Sequence, residues 1–273
     1  MMWSIHLLLS KLLKADEENF EESAAAGHHF SFIANLSSIL PSPNKSPMLS
    51  YFIDVPHINQ ECMWDCGLAC VLMVLRSLNV YSCSLLELGE ICRTTSIWTV
   101  DLAYLLQKFS VSFTYCTVTL GANPDFSVET FYKDQLSNDL VRVNMLFQEA
   151  RHAGIHIECR SVGTKELSTI ILSGKYVAIA LVDQYKLSHC GADDYDSDMY
   201  SSSSYTGHYI VICGYDGATD EFEIRDPASS RKRERVSCRC LEWAHKSFGT
   251  DEDLLLISVE KGDGQDGALG LFS

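Results

Sequence analysis

Helical patterns come first along the core of this chain and strand patterns come late, and that order limits the possible folds more than any other feature. Cys66 to Asn79 is rich in Leu, Met, Ala and Val at helical spacing. Ser84, with Glu87 three residues on, makes the capping box that opens a second helix. Thr99 to Phe109 fits a third, and Val111 to Thr119 alternates as a strand does. Asn138 to His152 reads as a helix stopped at Gly154, followed by a strand from Ile155 to Arg160. Thr164 to Ser173 is a short helix closed by Gly174. The remainder is rich in β-formers: Tyr176–Val182, His208–Tyr215, Phe222–Arg225 and Leu254–Val259, with Asp216-Gly217 as a hairpin-like turn. Helices segregated from a late antiparallel sheet predict an α+β domain.

The predicted core runs from Tyr51 to Glu260, within reach of a single domain at roughly 100–200 residues each. Residues 1–50 read as a poorly ordered leader. An acidic run (Asp16, Glu17, Glu18, Glu21, Glu22) there precedes a Ser/Pro/Asn-rich stretch, a composition that buries too little surface to order itself. Residues 261–273 read as a flexible Gly-rich tail. The segment from Asp183 to Thr206, acidic and serine-rich, has two open readings: a solvated insertion, or a mobile acidic lid leading into the strand at His208.

Thirty-six Asp and Glu against 21 Lys and Arg give a net charge of −15. That excludes general nucleic-acid binding and electrostatic docking to an anionic membrane. The compact basic cluster Arg231, Lys232, Arg233 and Arg235 reads as an exposed turn, with phosphate contact as the alternative. No stretch reaches the ~18–20 apolar residues a membrane-spanning helix needs. The greasy start, Met1 to Leu9, lacks a basic n-region and reads as a short amphipathic helix. Eleven cysteines, odd in number and irregular in spacing, argue against a secreted disulfide framework and for a reducing, cytoplasmic or nuclear location.

Three islands carry chemistry: Gln60-Glu61-Cys62-Met63-Trp64-Asp65-Cys66-Gly67-Leu68-Ala69-Cys70, then Gly207-His208-Tyr209-Ile210-Val211-Ile212-Cys213-Gly214-Tyr215-Asp216, then Phe222-Glu223-Ile224-Arg225-Asp226-Pro227-Ala228. A thiol nucleophile must be an anion at neutral pH, and helix starts and nearby imidazolium groups favour anions. Cys66 stands where the long apolar helix begins, with Asp65 as its expected N-cap. The Cys66 amide and the Gln60 side chain are candidate oxyanion donors. His208 can act as base and then acid, and Asp226 can hold its tautomer and orientation. Cys62, Cys66 and Cys70 share an i, i+4, i+8 spacing, which suits structural zinc poorly without a tighter second pair. His57, His152, His156 and His245 read as surface or satisfied histidines. Trp64 is either a groove wall or a core cap.

Gln-x5-Cys at a helix start, then Gly-His on a strand, then a strand ending in Asp-Pro, resembles a papain-like cysteine peptidase. The bacteriocin-processing branch, with its Asp-Cys-Gly-x-Ala-Cys and Gly-His-Tyr-Ile-Val motifs, is especially similar. The resemblance implies a papain-like fold with Cys66 as nucleophile, His208 as base, Asp226 as orienter and Gln60 as oxyanion donor. The thiol chemistry needs no cofactor, and its substrate would be a peptide or another amide.

The core from Tyr51 to Ile257 also resembles the plant-type soluble guanylyl cyclase family, through Ser96-Ile97-Trp98-Thr99-Val100-Asp101-Leu102-Ala103-Tyr104-Leu105-Leu106 and Lys246-Ser247-Phe248-Gly249-Thr250-Asp251-Glu252-Asp253. That resemblance implies conversion of GTP to cyclic GMP and diphosphate with Mg²⁺ or Mn²⁺, and it carries over no catalytic residue. Such chemistry draws on metal-bearing carboxylates and on Lys or Arg at the phosphates. Asp193, Asp194, Asp196 and Asp198 are weak candidates for the metal. A third reading keeps the peptidase-like shell as a non-catalytic interaction protein.

Overall fold

Every residue from Cys66 to Leu75 is buried in the computed structural model, which describes residues 50–129, 135–190 and 205–260. A helix apolar on all sides has to be covered on all sides. Helix α1 (Cys66–Ser77) is covered by α2 (Leu85–Cys92), α3 (Thr99–Lys108) and an eight-stranded sheet. The strands are β1 (Ser50–Phe52), β2 (Phe113–Thr117), β3 (Ile157–Cys159), β4 (Tyr176–Asp183), β5 (Gly207–Asp216), β6 (Glu221–Arg225), β7 (Glu234–Ser237) and β8 (Leu254–Ser258). Their order is β3-β2-β8-β4-β5-β6-β7, with β1 on β5, and all pairs but β2–β3 are antiparallel. Outside this centre lie α4 (Leu136–Glu149), α5 (Thr164–Leu172), α6 (Gln184–His189) and α7 (Cys238–His245).

The period of two along a strand sorts the two faces of the sheet. Val177, Ile179, Leu181, Tyr209, Val211 and Cys213 join the α1 core. Ala180, Ile212 and Leu254 face Val162, Leu167 and Leu241, beneath α5 and α7. With both faces covered, β4 and β5 read as almost unbroken apolar runs. Strand β5 changes neighbour midway. Gly207 to Ile212 pairs with β4 and Gly214 to Asp216 with β1, across a bulge after Ile212. Gly214 permits this, because a Cβ there would lie 2.3 Å from the Phe52 ring.

The α+β class read from the sequence is the observed architecture. The helix that starts at Cys66 packs on a largely antiparallel sheet, as the motifs implied. Strand and helix ends shift by a few residues, and the capping box of Ser84 and Glu87 is formed. Four elements are additions to the sequence reading: β1, β7, α6 and α7. The first two are three and four residues long, too short for a period to register. Helix α7 had a local signal in Ser237, whose hydroxyl accepts the Cys240 amide.

The segment after Asp183 does not begin as a loop: Asp183 caps α6 by accepting the Tyr185 amide. Residues 191–204 fall outside the described residues, and with them the metal candidates Asp193, Asp194, Asp196 and Asp198 and most of the expected lid. The leader through residue 49 and the tail from 261 fall outside as well. The cysteines also need a correction: Cys190 and Cys240 form a disulfide across 50 residues, so the set is not wholly reduced. Spacing gave no hint of it, because the pair is made by α6 packing beside α7. The basic cluster is an exposed turn into β7, where Arg233 pairs with Asp54 and Arg235 with Asp216. Among the described residues no helix is long and apolar enough to cross a membrane.

Candidate active site

Cys66 is the first residue of α1, so its amide belongs to the turn that has no intrahelical acceptor. Asp65 sits at the N-cap position but does not cap. Its backbone (φ −99°, ψ 14°) is not extended, and its carboxylate turns back to accept the Cys62 amide at 3.0 Å and the Glu61 amide at 3.3 Å. The expected cap is therefore replaced by a brace on the preceding loop, and no side chain occupies the helix start beside the thiol. Gly67 sets how close the helix comes to the sheet. A Cβ there would lie 2.9 Å from the Tyr209 ring and 3.0 Å from Leu102, so only glycine allows α1 this close to β5 and α3.

His208 opens β5 and is 3% exposed. Its Nε2 lies 2.7 Å from Asp226 Oδ1, which also accepts the Ala228 amide at 2.8 Å. That bond turns Nε2 to Asp226 and leaves Nδ1 to the other side of the ring, and Cys66 lies close enough to favour a charge on the imidazole. Burial opposes a charge on His208. The hydrogen bonds of Asp226 and Cys66 and their negative charges outweigh it, raising the ring to about 9. Burial likewise pushes against the Asp226 carboxylate, but the hydrogen bond and charge of His208 and the Ala228 amide hold it below its ordinary value. Cys70, one turn along, is fully buried, and burial together with the charges of Cys66 and Asp226 drives its thiol well up.

The fold thus brings Cys66, His208 and Asp226 together. Gln60 is held nearby by a strap of chain lashed to the end of β6. Arg225 Nε donates to the Val55 carbonyl at 2.8 Å, and His57 Nε2 donates to the Asp226 carbonyl at 2.9 Å. The Gln60 amide donates to the Pro227 carbonyl at 3.0 Å. Gln60 Nε2 itself donates to the Cys62 carbonyl at 2.7 Å, and its Oε1 is buried without a partner. The side chain is therefore turned into its own loop.

A cavity of about 210 Å³ opens beside Cys66, walled by Trp64, Trp98, Tyr209 and Leu181. Trp64 also lines a second, shallower groove with Leu85, Leu86 and Arg93 while packing on the core, so both readings of this residue hold. Asp251 and Asp253 line the first cavity too. Sequence reasoning singled out neither as a site residue, nor Gly67, nor the link from His57 to Asp226. The one local signal was the acidic run Asp251-Glu252-Asp253 immediately ahead of an apolar strand. Among the described residues no group of three or more His, Cys, Asp or Glu could hold a metal ion.

The raised value of His208 has a consequence for stability. A histidine held above its unfolded value of about 6.5 stabilises the fold fully below that pH and ceases to do so as pH rises through about 9. Thermal melting between pH 6 and 10 is expected to show the native chain losing on the order of 3 kcal/mol more than Asp226→Asn across this window, the raised Asp253 carboxyl contributing the same loss to both. Equal losses in the two chains would refute the charged pair.

Comparison with known proteins places the chain. A family described as guanylylate cyclase matches residues 55–257. "Guanylyl cyclase 1" of Arabidopsis thaliana is 55% identical over 274 residues, covering 97% of this chain and all of that one. A solved structure described as a C39-like peptidase from Bacillus anthracis overlays with a TM-score of 0.46 at 12% identity, over 76% of this chain and 96% of that one. The candidate thiol site stands on this chain's own geometry, and by its sequence the chain belongs to the guanylylate cyclase family.

Proposed function

We propose that this member of the family is a thiol enzyme, a hydrolase or transferase acting on an acyl or amide bond. The observation that carries the reading is the 2.7 Å contact of His208 with Asp226, with the ring's other nitrogen left to a cysteine at a helix start. The Cys66 thiolate attacks the carbonyl carbon, and negative charge develops on the carbonyl oxygen. The Cys66 amide can receive that charge, and so can Gln60 Nε2 once it turns from the Cys62 carbonyl. The His208 imidazolium gives its proton to the leaving group as the bond breaks, producing a thioester. Neutral His208 then takes a proton from water or from an acceptor nucleophile, which attacks the thioester and releases Cys66. Asp226 holds the ring for both transfers.

A second reading is conversion of GTP to cyclic GMP with Mg²⁺ or Mn²⁺, favoured by the family match and by the name of the Arabidopsis relative. Its metal candidates lie between residues 191 and 204, and no step is derived through them.

One crossed experiment separates the readings. Purified protein is offered an acyl and amide substrate panel, and in parallel GTP with Mn²⁺, before and after Cys66→Ala. Turnover of an acyl or amide substrate that resists a chelator and vanishes in the variant is the expected result. Cyclic GMP formation that survives Cys66→Ala, with no acyl or amide turnover, would overturn it. A cytoplasmic or nuclear location is part of the same proposal, supported by the nine free cysteines, against which stands the single pair Cys190–Cys240.

A further inference from the structure

Two carboxyl groups in the cavity beside Cys66 have no part in the thiol chemistry. Asp251 and Asp253 lie on the turn that leads into β8, and none of the described residues lining the cavity is basic. Asp253 is 4% exposed, and its Oδ1 is buried with no hydrogen-bond partner. Burial and the charge of Asp251 push Asp253 up to about 8, more strongly than the nearby hydroxyls of Thr99, Thr117 and Tyr115 pull it down. Burial alone pushes Asp251 up to about 6. A buried carboxyl oxygen without a partner, on a residue that lines a cavity, is costly unless something arrives to pair with it. The indole and phenol walls of Trp64, Trp98 and Tyr209 are the surfaces that attract organic cations. About 210 Å³ holds one side-chain-sized group.

We infer that this cavity is a specificity subsite for an ammonium or guanidinium group carried on the substrate beside the acyl group that Cys66 attacks. The link to Cys66 rests on the thiol reading, while the cation site rests on Asp251, Asp253 and the aromatic walls. Two carboxyls and aromatic rings together offer an organic cation both opposite charge and π-faces.

The test uses n-butylguanidinium against n-butylurea, nearly the same shape without the charge. Calorimetry and thermal shift on the full chain read binding, and mass spectrometry reads the rate of Cys66 alkylation by iodoacetamide. Above pH 8, where Asp253 is ionised, the guanidinium is expected to bind at least about tenfold more tightly than the urea, an opposite charge within a few ångströms being worth that much even in a fairly polar site. It should also slow alkylation of Cys66. Asp253→Asn should reduce the preference to less than about threefold, and Asp251→Asn, at a less enclosed position, provides the same readout should the first variant fold poorly. Equal binding of the two probes, a preference that survives both variants, or binding that leaves the alkylation of a reactive Cys66 unslowed would each overturn the inference. Rapid Cys66 alkylation with no preference for the cation would remove the subsite and keep the thiol enzyme. Cation preference lost on Asp253→Asn, with Cys66 inert, would keep the subsite and remove the thiol enzyme.

Discussion

Cys66→Ala is expected to lower turnover of an acyl or amide substrate by about 10⁶-fold, with His208→Ala costing nearly as much and the double variant little more. Nucleophile and base act as one unit, because the thiolate has its counter-ion in the imidazolium and the imidazole has no proton to deliver without the thiol. What survives is the contribution of the oxyanion donors and of binding. Labelling makes the same point without a substrate. The tract that carries Cys66 holds three cysteines, and only Cys66 combines a helix start with an imidazole neighbour. Cys62 is exposed and Cys70 is buried with its thiol driven up. An iodoacetamide time course resolved by fragment mass spectrometry should therefore show fast modification at Cys66, slow modification at Cys62 and none at Cys70. Fast loss of Cys62 alone, with Cys66 untouched, would count decisively against the mechanism.

The second large effect concerns stability. Arg225 is 1% exposed, yet it lies one residue before Asp226. Its guanidinium binds Glu223 at 2.8 Å, the Ile224 carbonyl at 3.1 Å and the Val55 carbonyl at 2.8 Å. Arg225→Met keeps most of the volume but strands the carboxylate of Glu223, 8% exposed, with only Arg233 at 3.9 Å to answer it. Breaking one half of a buried ion pair costs roughly 3–5 kcal/mol, a large part of the ~5–15 kcal/mol that holds a domain together. Urea unfolding should show a loss of that order, and Glu223→Leu placed on top should recover much of it, since the penalty is an unpaired charge rather than a lost contact. A single-variant loss below about 1 kcal/mol would mean the pair does not hold this corner. The same variant releases Val55, and with it the strap that carries His57 and Gln60 to the end of β6. Activity should therefore fall by more than the unfolded fraction explains.

The path from Arg225 to Gln60 shows where sequence reading stops. Cys66, His208 and Asp226 were legible because each sits in a short tract whose local pattern names its element: a helix start, a strand start, a strand end. The order of the three tracts is a property of the chain. Which atoms of Gln60 face the substrate was not legible, since its amide is drawn to a carbonyl two residues on. Asp65 misled for a similar reason: residue type suggests a cap, but the backbone angle decides whether the carboxylate can reach the helix amides. The pair Cys190–Cys240 depends on two helices meeting across 50 residues, which no spacing records.

The sequence by itself determined the α+β class, the apolar centre at α1, β4 and β5, and which three side chains, Cys66, His208 and Asp226, to look for together, because periodicity and motif order are written in neighbouring residues. Only the tertiary structure decided that Gly67 brings α1 against Tyr209, that a strap from Val55 to Gln60 is tied to β6, and that Asp251 and Asp253 face the thiol across an aromatic cavity. Those features are distances between segments far apart in the chain, set by packing and by burial of charge, and a linear pattern holds no measure of either.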